Sequence, residues 1–312
     1  MRRTLIKIVG VGIALVLVCV SLLEFRPDWV LKAATSYERG CAGLEQKSIE
    51  VGEHSVAYLE GGQGAPILLV HGFGGDKDNW TRLAGHLTED YRVIAVDLPG
   101  FGESSRHDHL SYDILSQVER LYQIHQSLGL EAVHVVGNSR GGQISTHFAA
   151  VHPSVVNTLT IVNARGIKSP VASDFDQILE TGRHPLIIGN VDDYESVFDW
   201  IFVEKPYIPD AILSHFAEKA FATHGFQEKV YSDQSARPAP LDDVLKDVSV
   251  PTLIIWGDQD RIIDPSTAEV FHQAITGSKL LMLHACGHLP QIERPSEVAA
   301  AMIEHFTAQA PR

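Results

Sequence analysis

The sequence predicts an α/β protein with a mostly parallel central sheet, helices on both faces and an inserted helical cap. Three observations predict it. Short apolar runs at 67–70, 92–97 and 133–137 end in turn residues, as strands buried on both faces do. Helical patterns near 79–87 and 112–128 separate them, giving the βαβ alternation of a parallel sheet. About ninety residues then lie between the strand pattern at 158–162 and the next at 252–256, far more than a crossover needs.

Residues 5–23 are apolar except for Lys7 and Ser21 and follow Arg2 and Arg3. That length just crosses a bilayer, with Lys7 near enough to the end to snorkel. The run exceeds the apolar core of a signal peptide, and no small-x-small site follows it closely. An uncleaved single-pass membrane anchor over 1–24 is therefore expected, with Phe25 and Trp29 at the interface. The amino terminus is expected inside, which places the catalytic domain outside the cytoplasm. Residues 25–45 read as a linker.

The alternation over 46–60, broken at Gly52-Glu53, predicts a hairpin. It opens a first core segment, 46–164, whose last elements are a helix at 142–151 and the strand at 158–162. The cap is assigned to 165–240, rich in Phe198, Trp200, Ile201, Phe202, Phe216 and Phe221. A second core segment, 241–312, resumes with the strand at 252–256, a helix at 265–275, a strand at 279–284 and a final helix at 295–306.

The 312 residues carry a formal charge of −14, which argues against nucleic acid and against a polybasic grip on anionic lipid. Sixteen histidines include no H-E-x-x-H, and three cysteines form neither a C-x-x-C pair nor a disulfide framework. Free thiols are expected, and nothing in the sequence calls for a metal or cofactor.

The chemistry is concentrated in V-H-V-V-G-N-S-R-G-G, residues 133–142. The core G-N-S-R-G fits a nucleophile elbow, G-x-S-x-G, in which small residues let the chain fold sharply and hold Ser139 in a strained conformation at the end of a strand. A serine hydroxyl needs a base, and the base needs a third group to hold its tautomer. His288, in C-G-H-L-P-Q-I-E-R-P just beyond the last strand, is the candidate base. Asp260, in W-G-D-Q-D-R-I-I-D just beyond the strand before, is the candidate acid. Asp258 falls in the tight turn after Gly257, Asp264 reads as a helix cap before Pro265, and His284 as a residue of the strand. A developing oxyanion needs two donors, expected from the backbone N–H groups of Arg140 and of Phe73 in H-G-F-G-G, residues 71–75.

Together, H-G-F-G-G-D-K-D-N-W, D-L-P-G-F-G-E-S, G-N-S-R-G-G, W-G-D-Q-D and C-G-H-L-P-Q-I-E-R-P resemble α/β-hydrolase fold lipases and esterases. The likeness is greatest to membrane-anchored monoacylglycerol lipases and related cold-adapted bacterial lipases. It covers the chain from about residue 61 onward. It implies hydrolysis of a small-molecule ester, lipid-derived or monoacylglycerol-like, through an acyl-enzyme. The implied triad is Ser139, Asp260 and His288, with the oxyanion hole at Phe73 and Arg140 and no cofactor.

The family usually has methionine where this chain has Arg140. The backbone donor survives that change, but the side chain either places a charge in the pocket or requires an acidic partner in the cap. Two other readings compete. The same fold and triad serve hydrolases of carbon-carbon bonds in ring-cleavage products, and a non-catalytic binding protein could keep the fold. The apolar N-terminal segment argues against the first and the intact triad against the second.

Overall fold

The computed structural model describes residues 24–190 and 193–309. Eight strands form one sheet: β1 (Leu44–Val51), β2 (His54–Gly61), β3 (Ala65–Val70), β4 (Tyr91–Val96), β5 (Val133–Asn138), β6 (Val156–Val162), β7 (Thr252–Gly257) and β8 (Lys279–Leu283). Their order is β1-β2-β4-β3-β5-β6-β7-β8. The β1–β2 hairpin joins β4 antiparallel, and every later pairing is parallel. The chain leaves β3 for β4 on one side and returns to β5 on the other. The carboxyl ends of β3 and β5 therefore meet at the switch point, where ligands bind in open α/β sheets.

Alternate residues of the central strands serve opposite faces. Leu68, Val70, Ile94, Val96, Val133 and Val135 join one cluster with Ile114, Leu121, Ile144 and Phe148. Ile67, Leu69, Val93, Ala95 and Val136 join another with Trp80, Leu83, Val298, Met302 and Phe306. Burial on both sides is what makes these strands continuous apolar runs rather than alternating ones.

The helices are α1 (Pro27–Cys41), the single-turn α2 (Thr81–Ala84), α3 (Ile114–Ser127), α4 (Arg140–Val151), α5 (Asp174–Leu179), α6 (Tyr194–Ile201), α7 (Asp210–Ala222), α8 (His224–Ala236), α9 (Ser266–Ala274), α10 (Pro290–Glu293) and α11 (Pro295–Ala308). Helices α3 and α4 cover one face of the sheet, and α2 and α11 the other. Helices α5 to α8 all fall between β6 and β7, as the inserted helical cap requires.

Two expectations meet the N-terminal region. The anchor assigned to 1–24 lies, apart from Glu24, outside the described residues. Among the described residues no helix is long and apolar enough to cross a membrane. The stretch 25–45, read as a linker, holds α1, started by Pro27 in its first turn with Asp28 beside it, and β1 begins at Leu44. No residue of α1 is buried, so the helix leaves no core-facing stripe in the sequence. Arg39 ties it to the domain through a two-point ion pair with Asp78, both contacts at 2.6 Å.

Candidate active site

Ser139 stands between β5 and α4 with φ 55° and ψ −118°, one of three non-glycine residues with positive φ among those described. Its amide donates to Val162 O at 2.9 Å, and its carbonyl accepts from Arg165 N at 3.0 Å and Gln143 N at 3.2 Å. Those bonds hold the strained turn from three directions. The glycines have a steric reason. A Cβ on Gly141 would lie 2.2 Å from Val70 O, one on Gly137 2.3 Å from Gly141 O, and one on Gly142 2.5 Å from Ala164 Cβ. The helix starts at Arg140, two residues before the expected boundary, because Gly141 in its first turn packs directly on the end of β3. Gly141→Ala is expected to destabilise the fold by about 1–3 kcal/mol, since backbone carbonyls must yield. Thermal denaturation measures this, and an unchanged melting temperature would contradict the packing argument.

The H-G-F-G-G loop follows β3 and reaches the Ser139 turn at Gly72, where an added Cβ would lie 3.0 Å from Ser139 Cβ. His71 fixes the loop. Its Nδ1 donates to Gly72 O at 2.7 Å and its Nε2 accepts from Leu98 N at 3.0 Å, while burial lowers its pKa and keeps the ring neutral. The Arg140 N–H, at the first position of α4, has no carbonyl within its own helix to bond.

Asp260 lies in the loop after β7, its carboxylate fully enclosed. Oδ2 accepts from His288 Nδ1 at 2.8 Å and from Asn163 Nδ2 at 2.6 Å. Oδ1 accepts from the backbone of Ile262 at 2.8 Å and Ile263 at 3.1 Å. Four donors converge on an acceptor-only group, which suits a carboxylate. His288, also buried, is held by its own backbone: its N–H donates to Ile201 O of the cap at 2.8 Å, and its carbonyl accepts from Asn138 Nδ2 at 3.1 Å. Asn138 immediately precedes Ser139, so one amide ties the His288 loop to the Ser139 turn.

The rival residues have other work. Asp258 pairs at 2.8 Å with His284, which lies just past β8 and is 93% exposed. Asp264 accepts from Ser266 N at 2.9 Å just ahead of α9, whose N-cap position falls on Pro265 rather than on Asp264 as expected.

Asn163 was not singled out from the sequence. It sits just past β6 with φ 44°, donates to Asp260 and to Gly287 O at 3.3 Å, and accepts from Gly257 N at 3.3 Å. It therefore braces the loops of both Asp260 and His288. Its only sequence signal is an asparagine at the carboxyl end of a buried strand, a residue type that tolerates left-handed backbone.

The Arg140 side chain is partly buried against the cap. Nη1 donates to Gln234 Oε1 of α8, and the guanidinium lies 5.6 Å from the centroid of the Phe73 ring. An acidic cap partner, one of the two expectations for this residue, is replaced by a neutral amide. The neighbouring carboxylate of Asp233 is committed elsewhere, to Tyr112 N at 2.9 Å and Lys229 Nζ at 2.6 Å.

Known proteins share this arrangement of chain. A family model described as alpha/beta hydrolase fold matches residues 65–184 and 207–295. Lipase 1 of Psychrobacter immobilis is 34% identical over 84% of this chain and 84% of its own. Monoacylglycerol lipase abhd6-B of Xenopus laevis is 29% identical over 93% of this chain and 92% of its own. The crystal structure of a membrane phospholipase A, described as a bacterial virulence factor, is 36% identical, covers 99% of each chain and superposes with a TM-score of 0.89. A meta-cleavage product hydrolase is less similar, at 26% identity over 84% of this chain and 98% of its own and a TM-score of 0.74. By sequence and by fold, the chain belongs to the alpha/beta hydrolase fold family.

Proposed function

We propose that this protein is a serine hydrolase that cleaves carboxylic esters of lipid origin through an acyl-enzyme, with Ser139 as nucleophile, His288 as base and Asp260 as orienting acid. The observation that carries the reading is the His288–Asp260 pair, buried and hydrogen-bonded at 2.8 Å, on a loop tied through Asn138 to the strained Ser139 turn. With Nδ1–H committed to the carboxylate, Nε2 is the nitrogen that takes the serine proton. Ser139 Oγ attacks the ester carbonyl, and the N–H groups of Phe73 and Arg140 receive the oxyanion. His288 then protonates the leaving alcohol, and the same base activates water to release the acid.

The lipase names of its relatives support a lipid ester over a ring-cleavage product. A panel of p-nitrophenyl esters from short to long chain, run beside a ring-cleavage product, tests the choice. Turnover of the esters alone is expected, and preferred cleavage of the carbon-carbon substrate would overturn the reading.

The same reading divides the chain into core segments 46–164 and 241–312, a cap at 165–240 and a membrane anchor at 1–24. Because Arg39 joins α1 to the core, the place to detach the anchor is ahead of Pro27. A protein beginning at Glu24 is expected to hydrolyse water-soluble short esters at the full-length rate and esters in vesicles more slowly. Equal rates on vesicles would contradict the anchor.

A further inference from the structure

Two arginines flank Ser139, and among the described residues no carboxylate answers them. Arg140 follows the nucleophile in sequence, and Arg165 donates its backbone N–H to Ser139 O at 3.0 Å. Among the described residues, Gln234 and the Phe73 ring are the partners of the Arg140 side chain, and its Nε is buried without a hydrogen bond. The Arg165 guanidinium lies 5.8 Å from the Phe175 centroid and makes no side-chain hydrogen bond or ion pair among the described residues. His184 joins them. Its ring meets Phe73 at 5.3 Å, Phe175 at 5.4 Å and Tyr231 at 4.5 Å, and its Nδ1 is buried and unpartnered.

The electrostatics of the three groups are coupled. Burial first, and then the neighbouring Arg165, pushes the Arg140 guanidinium down to about 9. Burial and both arginines push His184 down to about 4, which leaves a neutral imidazole. A cation taken out of water without a counter-ion is costly, and a second cation nearby adds to the cost. Lys77 and Arg39 meet this need with the chain's own carboxylates, Asp97 at 2.9 Å and Asp78 at 2.6 Å, whereas the desolvated Arg120 has the Ser111 carbonyl and the Tyr112 ring. Beside the nucleophile the counter-charge is left to a ligand.

We infer that Arg140, Arg165 and His184 form an anion subsite over Ser139, so that the preferred substrate is an ester carrying a carboxylate or phosphate group near the scissile bond. The inference rests on the serine-hydrolase reading and adds to it the chemistry of the substituent. A guanidinium at each side offers paired N–H donors to anionic oxygens, and the neutral imidazole adds one more. The aromatic rings of Phe73, Phe175 and Tyr231 keep the site dry enough for the charge pair to count.

The test uses two matched substrate pairs on the full-length protein. One is a monoacylglycerol against the same molecule phosphorylated at its free primary hydroxyl, and the other is p-nitrophenyl butyrate against the p-nitrophenyl hemiester of glutaric acid. Wild type is expected to favour the anionic member of at least one pair. Preference in the first pair places the anion on the alcohol side, and preference in the second places it on the acyl side. Arg140→Met and Arg165→Gln are each expected to lower the anionic-to-neutral ratio of kcat/KM by about tenfold or more. Arg165→Lys retains part of the preference, and the melting temperature of Arg140→Met does not fall, because a desolvated cation has been removed.

A wild type that favours the neutral member of both pairs would overturn the subsite. So would unchanged ratios in the variants, with or without a lower melting temperature, since arginines that only brace the cap give that result. If Arg140→Met does not fold, the Arg165 variants decide alone. Failure of the subsite leaves turnover of the neutral esters and labelling of Ser139 intact, whereas failure of the hydrolase reading abolishes both.

Discussion

Ser139→Ala is expected to lower ester turnover by about six decades while leaving the fold intact, as removal of the nucleophile does in serine proteases. The loss is that large because base and acid have nothing to activate once the hydroxyl is gone. The fold survives because the strain at Ser139 lies in the backbone, at φ 55°, and is held by bonds from Val162, Arg165 and Gln143 that alanine keeps. Circular dichroism and thermal denataturation check the fold, and a p-nitrophenyl ester assay checks the rate. Activity within tenfold of wild type would remove Ser139 from the mechanism.

Asp260→Asn is the next largest expected effect, a fall in turnover of about four decades. All four groups that surround the carboxylate are donors: His288 Nδ1, Asn163 Nδ2 and the amides of Ile262 and Ile263. An asparagine must turn its own N–H₂ towards one pair of them. Facing Oδ2's partners, it forces the imidazole to accept at Nδ1 and to carry its proton on Nε2, the nitrogen that has to act as base. Facing the amides, it leaves two buried donors opposed by a third, at a cost of about 1–3 kcal/mol for each unsatisfied group. Asp258→Asn disturbs a surface pair with His284, and Asp264→Asn keeps an oxygen for Ser266 N, so both are expected to cost far less. A crippled Asp264→Asn would reassign the acid.

The parts of this site that were legible in the sequence are those fixed by local backbone chemistry. The G-N-S-R-G turn announces itself because Gly137 and Gly141 have carbonyl oxygens where a Cβ would be. The central strands announce themselves because both of their faces are buried. Asp260 and His288 follow from their places after β7 and β8. What was not legible depends on elements far apart in the chain. Asn163 is tied to residues 97 and 124 positions away, and no short pattern surrounds it. The environment of Arg140 depends on where α8 lays Gln234 and on the loop carrying His184. Helix α1 escaped for the opposite reason: it buries nothing, and Trp29 and Tyr37 are exposed, so its periodicity had no core to record.

The central claim is that Ser139 is made nucleophilic by the His288–Asp260 pair. Reaction with a fluorophosphonate, followed by mass spectrometry of the labelled peptides, tests it most directly because the reagent reads activation of the serine without depending on the choice of substrate. The expected result is a single adduct on Ser139, absent in Ser139→Ala and much slower to form in Asp260→Asn. Labelling of the alanine variant to the wild-type extent, or an adduct on another residue, would contradict the account.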